Sequence, residues 1–224
     1  MKITLLCNCG LAVESGGKTL LIDALTQELP PFYRAPESVL RAIMDGTGEF
    51  SAVCGLLFTH LHPDHFDRDA AEEFAKHHPD ALLYIPNRRE HAPERLTAGP
   101  FTIELHRVRH TQVDGYGKST LDAMLVAAEG KTVYIASDTA PEAAIHETVL
   151  AGRRANAAFW NGEMLLYKPE RESLSRFAAI NYIYHIPPAE QDGLRRKLER
   201  LTARFPEECK TVTLLGEYPS VVEI

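Results

Sequence analysis

Four side chains able to bind a metal ion fall within six consecutive residues of the segment Thr59-His60-Leu61-His62-Pro63-Asp64-His65-Phe66. In an extended backbone, His60, His62 and Asp64 would point to one side and His65 to the other. Imidazole and carboxylate ligands suit zinc and other divalent transition metals. A lone loop histidine is more often a solvated surface residue. Crowding three imidazoles and a carboxylate without a shared ligand would carry an energetic cost, so the segment predicts a metal site.

The elements around this cluster place it on a loop at the end of a strand. Residues 52–59 form a continuous apolar run, which is typical of a strand buried on both faces. A capping-box pattern at Asp69-Ala70-Ala71-Glu72 predicts a helix over about 69–78. Functional side chains are often carried on such connections, because the rigid elements on either side fix their position.

Strands and helices alternate along the rest of the chain. A hairpin is predicted at the start, from the turn Ser15-Gly16-Gly17-Lys18. This alternation predicts an α/β fold with two sheets between helices, in a single domain over 1–224. The further predicted strands are 2–6, 11–14, 19–22, 81–85, 101–110, 121–128, 132–137, 157–160, 180–184 and 211–216, and the further helices are 37–44, 89–96, 141–151 and 189–204.

The ligand cluster resembles the HxHxDH signature of the metallo-β-lactamase superfamily. The later ligands of that family follow in the expected order, each at the end of a predicted strand: His110, Asp138 and His185. By itself, His110 would be read as a surface histidine and Asp138 as a helix cap. Asp23 resembles the family's early structural aspartate, which we expect to form hydrogen bonds near the ligand loop. The resemblance spans nearly the whole chain and implies a four-layer αββα sandwich.

The resemblance also implies a dinuclear centre, with two divalent ions expected to be zinc and with manganese or iron as alternatives. A water shared by the two ions would be activated to attack the substrate. Asp64 and Asp138 are the ligands to which the resemblance gives a catalytic role. The implied ligand sets are His60, His62 and His110 for one ion, Asp64, His65 and His185 for the other, and Asp138 as the bridge.

Departures from other branches of the superfamily leave several functions open. The bridging Asp138 argues against β-lactamases. The short chain argues against glyoxalase II-type enzymes, and the absence of a basic arm argues against ribonuclease Z. The remaining resemblance is to small bacterial hydrolases, such as ascorbate-phosphate lactonases and phosphodiesterases. It implies a phosphodiester or a lactone or ester as substrate. The alternatives are a persulfide dioxygenase with one iron, and a binding protein with an unproductive site.

Substrate contacts and partners are predicted from weaker signals. Tyr116 and Lys118 lie on the loop after His110, where they would reach a bound anion, although a solvated loop explains them equally well. The formal charge of −7 argues against nucleic-acid binding. We expect a cytoplasmic protein with a small anionic substrate and no membrane partner, and we leave a homo-oligomer open.

Side chains outside the motif have structural interpretations. Trp160 is expected in the core, and the cysteines are expected as reduced thiols in or near it. The histidines that match no family ligand are predicted to lie at the surface: His77, His78, His91, His106 and His146.

Overall fold

A computed structural model describes residues 1–86, 95–111, 119–187 and 193–224. In these residues the helices are α1 (Glu37–Asp45), α2 (Arg68–His77), α3 (Ala143–Leu150), α4 (Lys168–Phe177) and α5 (Leu194–Arg204). The strands are β1 (Lys2–Leu5), β2 (Leu11–Ser15), β3 (Lys18–Ile22), β4 (Val53–Leu57), β5 (Leu82–Tyr84), β6 (Arg95–Ala98), β7 (Phe101–Arg109), β8 (Thr120–Ala128), β9 (Lys131–Ser137), β10 (Ala155–Trp160), β11 (Ala178–Ile183), β12 (Val212–Leu214) and β13 (Ser220–Glu223).

The described strands form two mixed sheets. The first has the order β13-β1-β2-β3-β4-β5, and the second has the order β12-β11-β10-β9-β8-β7-β6. Strands β3, β4 and β5 run parallel, as do β9 to β12, whereas the hairpin strands between β6 and β9 are antiparallel. Strands β7, β9, β10 and β11 therefore point the same way, and the segments that follow them meet at one edge of their sheet.

Alternation along the strands explains why the sheets are buried on both faces. In β9, Val133 and Ile135 face the core between the sheets, whereas Tyr134 and Ala136 face the outer helices. The first sheet packs its outer face against α1 and α2, and the second packs against α3, α4 and α5. The result is the four-layer αββα sandwich that the sequence predicts.

Most predicted elements are confirmed within one to three residues of their bounds, but some are not. Arg95 begins strand β6, where a helix over 89–96 was expected; residues 87–94 lie outside the described part of the chain. Helix α5 begins at Leu194, after the undescribed residues 188–192. Helix α2 is capped by the Asp67 carboxylate, which accepts from the Ala70 amide at 3.1 Å, so Asp69 is not the cap.

Two histidines predicted at the surface are located elsewhere. His146 is fully buried among Tyr134, Trp160 and Phe177, and its Nδ1 lies 2.9 Å from the Tyr134 hydroxyl. His78 is partly buried, with Nε2 2.8 Å from the Ile43 carbonyl oxygen. His77 is exposed as predicted, the His106 side chain is 32% exposed, and His91 lies outside the described residues.

Other structural predictions are confirmed. Trp160 is fully buried, and Cys7, Cys9 and Cys209 are buried free thiols, with Cys54 partly buried. None of the helices in the described ranges is both long and apolar enough to cross a membrane.

Candidate metal centre

The structure brings all seven predicted ligands to one place. The segment His60–His65 follows β4, His110 follows β7, Asp138 follows β9 and His185 follows the end of β11. Six of these residues form two groups, and within each group the ligand atoms lie within 4.8 Å of one another. The first group is His60, His62 and His110, and the second is Asp64, His65 and His185. These are the two sets that the family resemblance implies.

Asp138 lies between the two groups. Its Oδ2 is 3.3 Å from Nε2 of His65, 3.5 Å from Nε2 of His110 and 3.7 Å from Nε2 of His185. Nε2 of His60 is 3.8 Å away from the same oxygen. One carboxylate oxygen therefore faces imidazole nitrogens from both groups, which is the placement that a bridging ligand needs.

Hydrogen bonds from Nδ1 fix the orientation of the imidazole rings. His65 Nδ1 lies 2.9 Å from Asp23 Oδ2, and His110 Nδ1 lies 2.9 Å from the Thr111 carbonyl oxygen. His60 Nδ1 lies 3.0 Å from the Thr59 hydroxyl. Each contact leaves Nε2 facing the centre of the cluster, as outer contacts do for histidines that bind metals.

Asp23 performs the structural role predicted for it. Its fully buried carboxylate accepts hydrogen bonds from the Thr59 backbone amide at 2.7 Å and from the Thr59 hydroxyl at 2.6 Å, besides its contact with His65. The Thr59 hydroxyl also lies 3.0 Å from the Ser137 hydroxyl, next to Asp138. Asp23 thus holds the ligand loop of the first sheet, and Thr59 connects that loop to the Asp138 loop of the second sheet.

The chemistry of the cluster fits a divalent metal. Nε2 of His60 is fully buried and lacks a hydrogen-bond partner among the described residues, a state that costs free energy unless something binds that nitrogen. Burial, followed by the charge of His110, lowers the pKa of His62 to about 4, so its imidazole is neutral near pH 7. Neutral imidazole is the form that binds metal.

The two carboxylates are anionic at neutral pH. Burial by itself raises the pKa of Asp64, but nearby His65 and His185 outweigh it and lower this pKa to about 2. Burial acts in the same direction on Asp138, and the charges of His185 and His65 hold its pKa well below the usual range. Both side chains are therefore available as negatively charged ligands.

Asn161 holds the loop that carries Asp138. Its Nδ2 donates to the carbonyl oxygens of Ser137 and Thr139, at 3.1 Å each, so the amide contacts the residues on both sides of Asp138. Ser137 has a φ of 52°, a left-handed conformation that is costly for a residue with a side chain. The amide stabilises this bend and directs the Asp138 carboxylate towards the histidines.

A cleft of about 420 Å³ opens beside Asp138 and His185. Its described walls include the apolar side chains of Phe32, Leu166 and Leu194. The Phe32 ring packs edge-on against the His185 imidazole, with centroids 4.5 Å apart. This volume lies within the ~300–1,000 Å³ typical of small-molecule sites.

The sequence predicted the seven residues of the cluster but not several residues around them. Asn161 and Thr59 emerge as positioning residues, and Glu163 and Lys197 line the cleft. Asn161 directly follows a predicted strand. Because parallel strands end at the same edge of a sheet, this position indicates that Asn161 lies near the predicted ligands. The substrate contacts proposed from sequence, Tyr116 and Lys118, lie outside the described residues.

Solved structures with similar folds cover the full length of the chain. Isothiocyanate hydrolase from Delia radicum gut bacteria has a TM-score of 0.71 and 17% identity, with 100% of this chain and 99% of that chain covered. The metallo-β-lactamase fold protein YhfI from Bacillus subtilis has a TM-score of 0.67 and 16% identity, with 100% and 98% covered.

An enzyme with different chemistry shares the architecture. CmlA, a diiron β-hydroxylase from Streptomyces venezuelae, has a TM-score of 0.60 and 11% identity, with 100% of this chain and 54% of that chain covered. No protein-family model matches the sequence. No curated protein matches it either. At these identities the likeness establishes a shared fold.

Proposed function

Because this chain has the metallo-β-lactamase fold, we propose that it is a dinuclear metal-dependent hydrolase. The observation that carries the proposal is the convergence of imidazole nitrogens from both ligand groups on one oxygen of Asp138, at 3.3 to 3.8 Å. A carboxylate in that position would neutralise part of the charge of two bound cations.

The proposed ligand sets are those that the resemblance implies, with Asp138 shared between them. When bound, two divalent ions would lower the pKa of a shared water and stabilise negative charge on the reacting oxygen. The chain's own contribution is orientation: Asp23 fixes His65, and Asn161 fixes the loop of Asp138. The apolar walls formed by Phe32 and Leu166 would shield one side of a bound substrate from water.

The substrates we propose are phosphodiesters and lactones or other esters, which share an electrophilic centre attacked by water. The metals we propose are zinc ions, with manganese or iron as alternatives. Metal analysis of purified protein, and of protein reconstituted with zinc or manganese, should give close to two ions per chain. Hydrolysis of bis-p-nitrophenyl phosphate or of members of a lactone panel should follow reconstitution. One ion or none, together with no hydrolysis, would overturn the proposal.

Iron-dependent oxygen chemistry is the second candidate. Two imidazoles and one carboxylate, from His60, His110 and Asp138, form the ligand type used by many non-haem iron oxygenases. CmlA shows that an iron enzyme can share this fold. A single tightly held iron per chain, with oxygen uptake on a persulfide and no ester hydrolysis, would favour this candidate over hydrolysis.

A further inference from the structure

The cleft beside the metal centre has one basic side chain apart from histidine among its described lining residues, Lys197. Lys197 lies on α5, one turn after Gly193, whose carbonyl oxygen accepts from the Lys197 amide. The side chain is exposed to solvent. Its four-carbon stem therefore lets the ammonium group move within the mouth of the cleft.

Arg195, two residues before Lys197 on the same helix, has two carboxylate partners, whereas Lys197 has none among the described residues. Arg195 lies 3.1 Å from Glu199 and 3.3 Å from Glu217. No described carboxylate lies within ion-pair distance of Lys197, although Glu163 lines the same cleft. Glu163 is instead hydrogen-bonded to the Thr111 hydroxyl. An ammonium group without an internal partner at a cleft mouth is available to an anionic ligand.

The charge of the molecule makes this cation significant. The chain carries a formal charge of −7, and the carboxylates of Asp138 and Glu163 lie in the same cleft. Negative charge that the metal ions do not balance would oppose an anionic group in this cleft unless a cation paired with that group. Apolar side chains of Phe32, Leu166 and Leu194 contribute further cleft walls. The cleft is therefore polar at the metal centre, has apolar walls, and carries a positive charge at Lys197.

We infer that Lys197 binds the anionic end of the substrate, and that the substrate is a small ester or lactone with a carboxylate or phosphate group separated from the reacting bond by an apolar segment. The inference rests on the proposed function for the reaction at the ester or lactone bond, and it adds a binding site for the opposite, anionic end of the substrate. Lys197 would act in binding and specificity, since it lies on α5 and outside the ligand cluster.

The decisive experiment compares dicarboxylates with monocarboxylates by calorimetry on the metal-loaded protein, so that it needs no turnover. The probes are the dicarboxylates from succinate to suberate, each paired with the monocarboxylate of equal chain length. At least one dicarboxylate should bind about tenfold tighter than its partner. Lys197→Gln should remove that advantage while leaving the affinity for the monocarboxylate within about twofold.

Lys131→Gln is the matched control, because Lys131 begins β9 at the end opposite to Asp138 and the substitution removes the same charge. It should keep the dicarboxylate advantage. If no dicarboxylate gains affinity, or if Lys197→Gln and Lys131→Gln behave alike, Lys197 is not the anion site.

A kinetic comparison separates this inference from the proposed function. On the 4-nitrophenyl monoester of glutarate, Lys197→Gln should raise KM about tenfold with kcat nearly unchanged, and on neutral 4-nitrophenyl pentanoate it should change neither. Failure of the metal-loaded wild-type protein to hydrolyse either ester would count against the proposed hydrolase. The calorimetric comparison would still decide the role of Lys197. An equal effect of the substitution on both esters would overturn the inference.

Discussion

Replacing Asn161 with Asp should loosen the metal centre without changing the size of the side chain. The substitution keeps an acceptor for the Glu163 amide, which lies 3.0 Å from Asn161 Oδ1. It removes both hydrogen bonds from Nδ2, to the carbonyl oxygens of Ser137 and Thr139. Two buried carbonyl groups then lose a donor at about 1–3 kcal/mol each, so the combined cost is about 2–6 kcal/mol.

That cost can appear in either of two measurements. If the loop keeps its conformation, the free energy of unfolding of the metal-free protein falls by most of the 2–6 kcal/mol expected from the two lost hydrogen bonds. If the loop relaxes, Asp138 moves and metal affinity falls by about 10–100-fold, as is typical when an outer contact of a ligand is lost. Urea unfolding measures the first quantity, and competition with a chelator of known affinity measures the second.

Asn156→Asp provides the control, because it makes the same charge change at the opposite end of β10. Asn156 Oδ1 accepts from the Thr132 amide at 2.8 Å, and an aspartate retains that acceptor. The reasoning is refuted if Asn161→Asp resembles Asn156→Asp in both assays, within about 0.5 kcal/mol in stability and about twofold in metal affinity.

Four further substitutions test the other assignments. His60→Ala and Asp138→Asn should each lower metal content and reduce hydrolysis at least about 100-fold while circular dichroism stays near wild type; full turnover in Asp138→Asn would contradict the bridging role. Burial lowers the pKa of His146 to about 3 from 6.5, so between these values the unfolded chain binds more protons and stability falls as pH falls. Between pH 6.5 and about pH 4.5, the free energy of unfolding measured in urea should fall by about 2–3 kcal/mol less for His146→Gln than for the wild type. An equal decrease in the two proteins would count against a neutral buried imidazole. His77→Gln should leave metal content and activity unchanged, because His77 is exposed and lies 3.1 Å from Glu73; a large loss of activity would be the contrary result.

The sequence, together with the family resemblance of its motifs, was enough to predict the candidate ligands and the general architecture. Four of the predicted ligands fall within six consecutive residues, and predicted strands precede His110, Asp138 and His185. Strand periodicity is a local property, so the ends of most strands could be located without the fold. The role of Asp23 followed from its position after the strand β3 and from the family resemblance.

Elements whose stability comes from distant partners were harder to predict. Helix α4 has a polar sequence, and only a few side chains such as Leu174 and Phe177 are buried against the second sheet. Strand β13 alternates partly buried and exposed residues and forms by pairing with β1, more than 200 residues earlier in the chain. Local propensity contains no information about such pairings.

Sheet order decided the rest of the site. The tertiary structure places β10 beside β9, and this brings Asn161 against the carbonyl groups on either side of Asp138. The packing of α5 beside the segment after β10 places Lys197 at the cleft. Burial of His146 likewise depends on how α3 and α4 cover Trp160. The type of a side chain determines which chemistry it can perform. The fold determines which distant segments lie around it, and these neighbours set its charge state and the ligand it can bind.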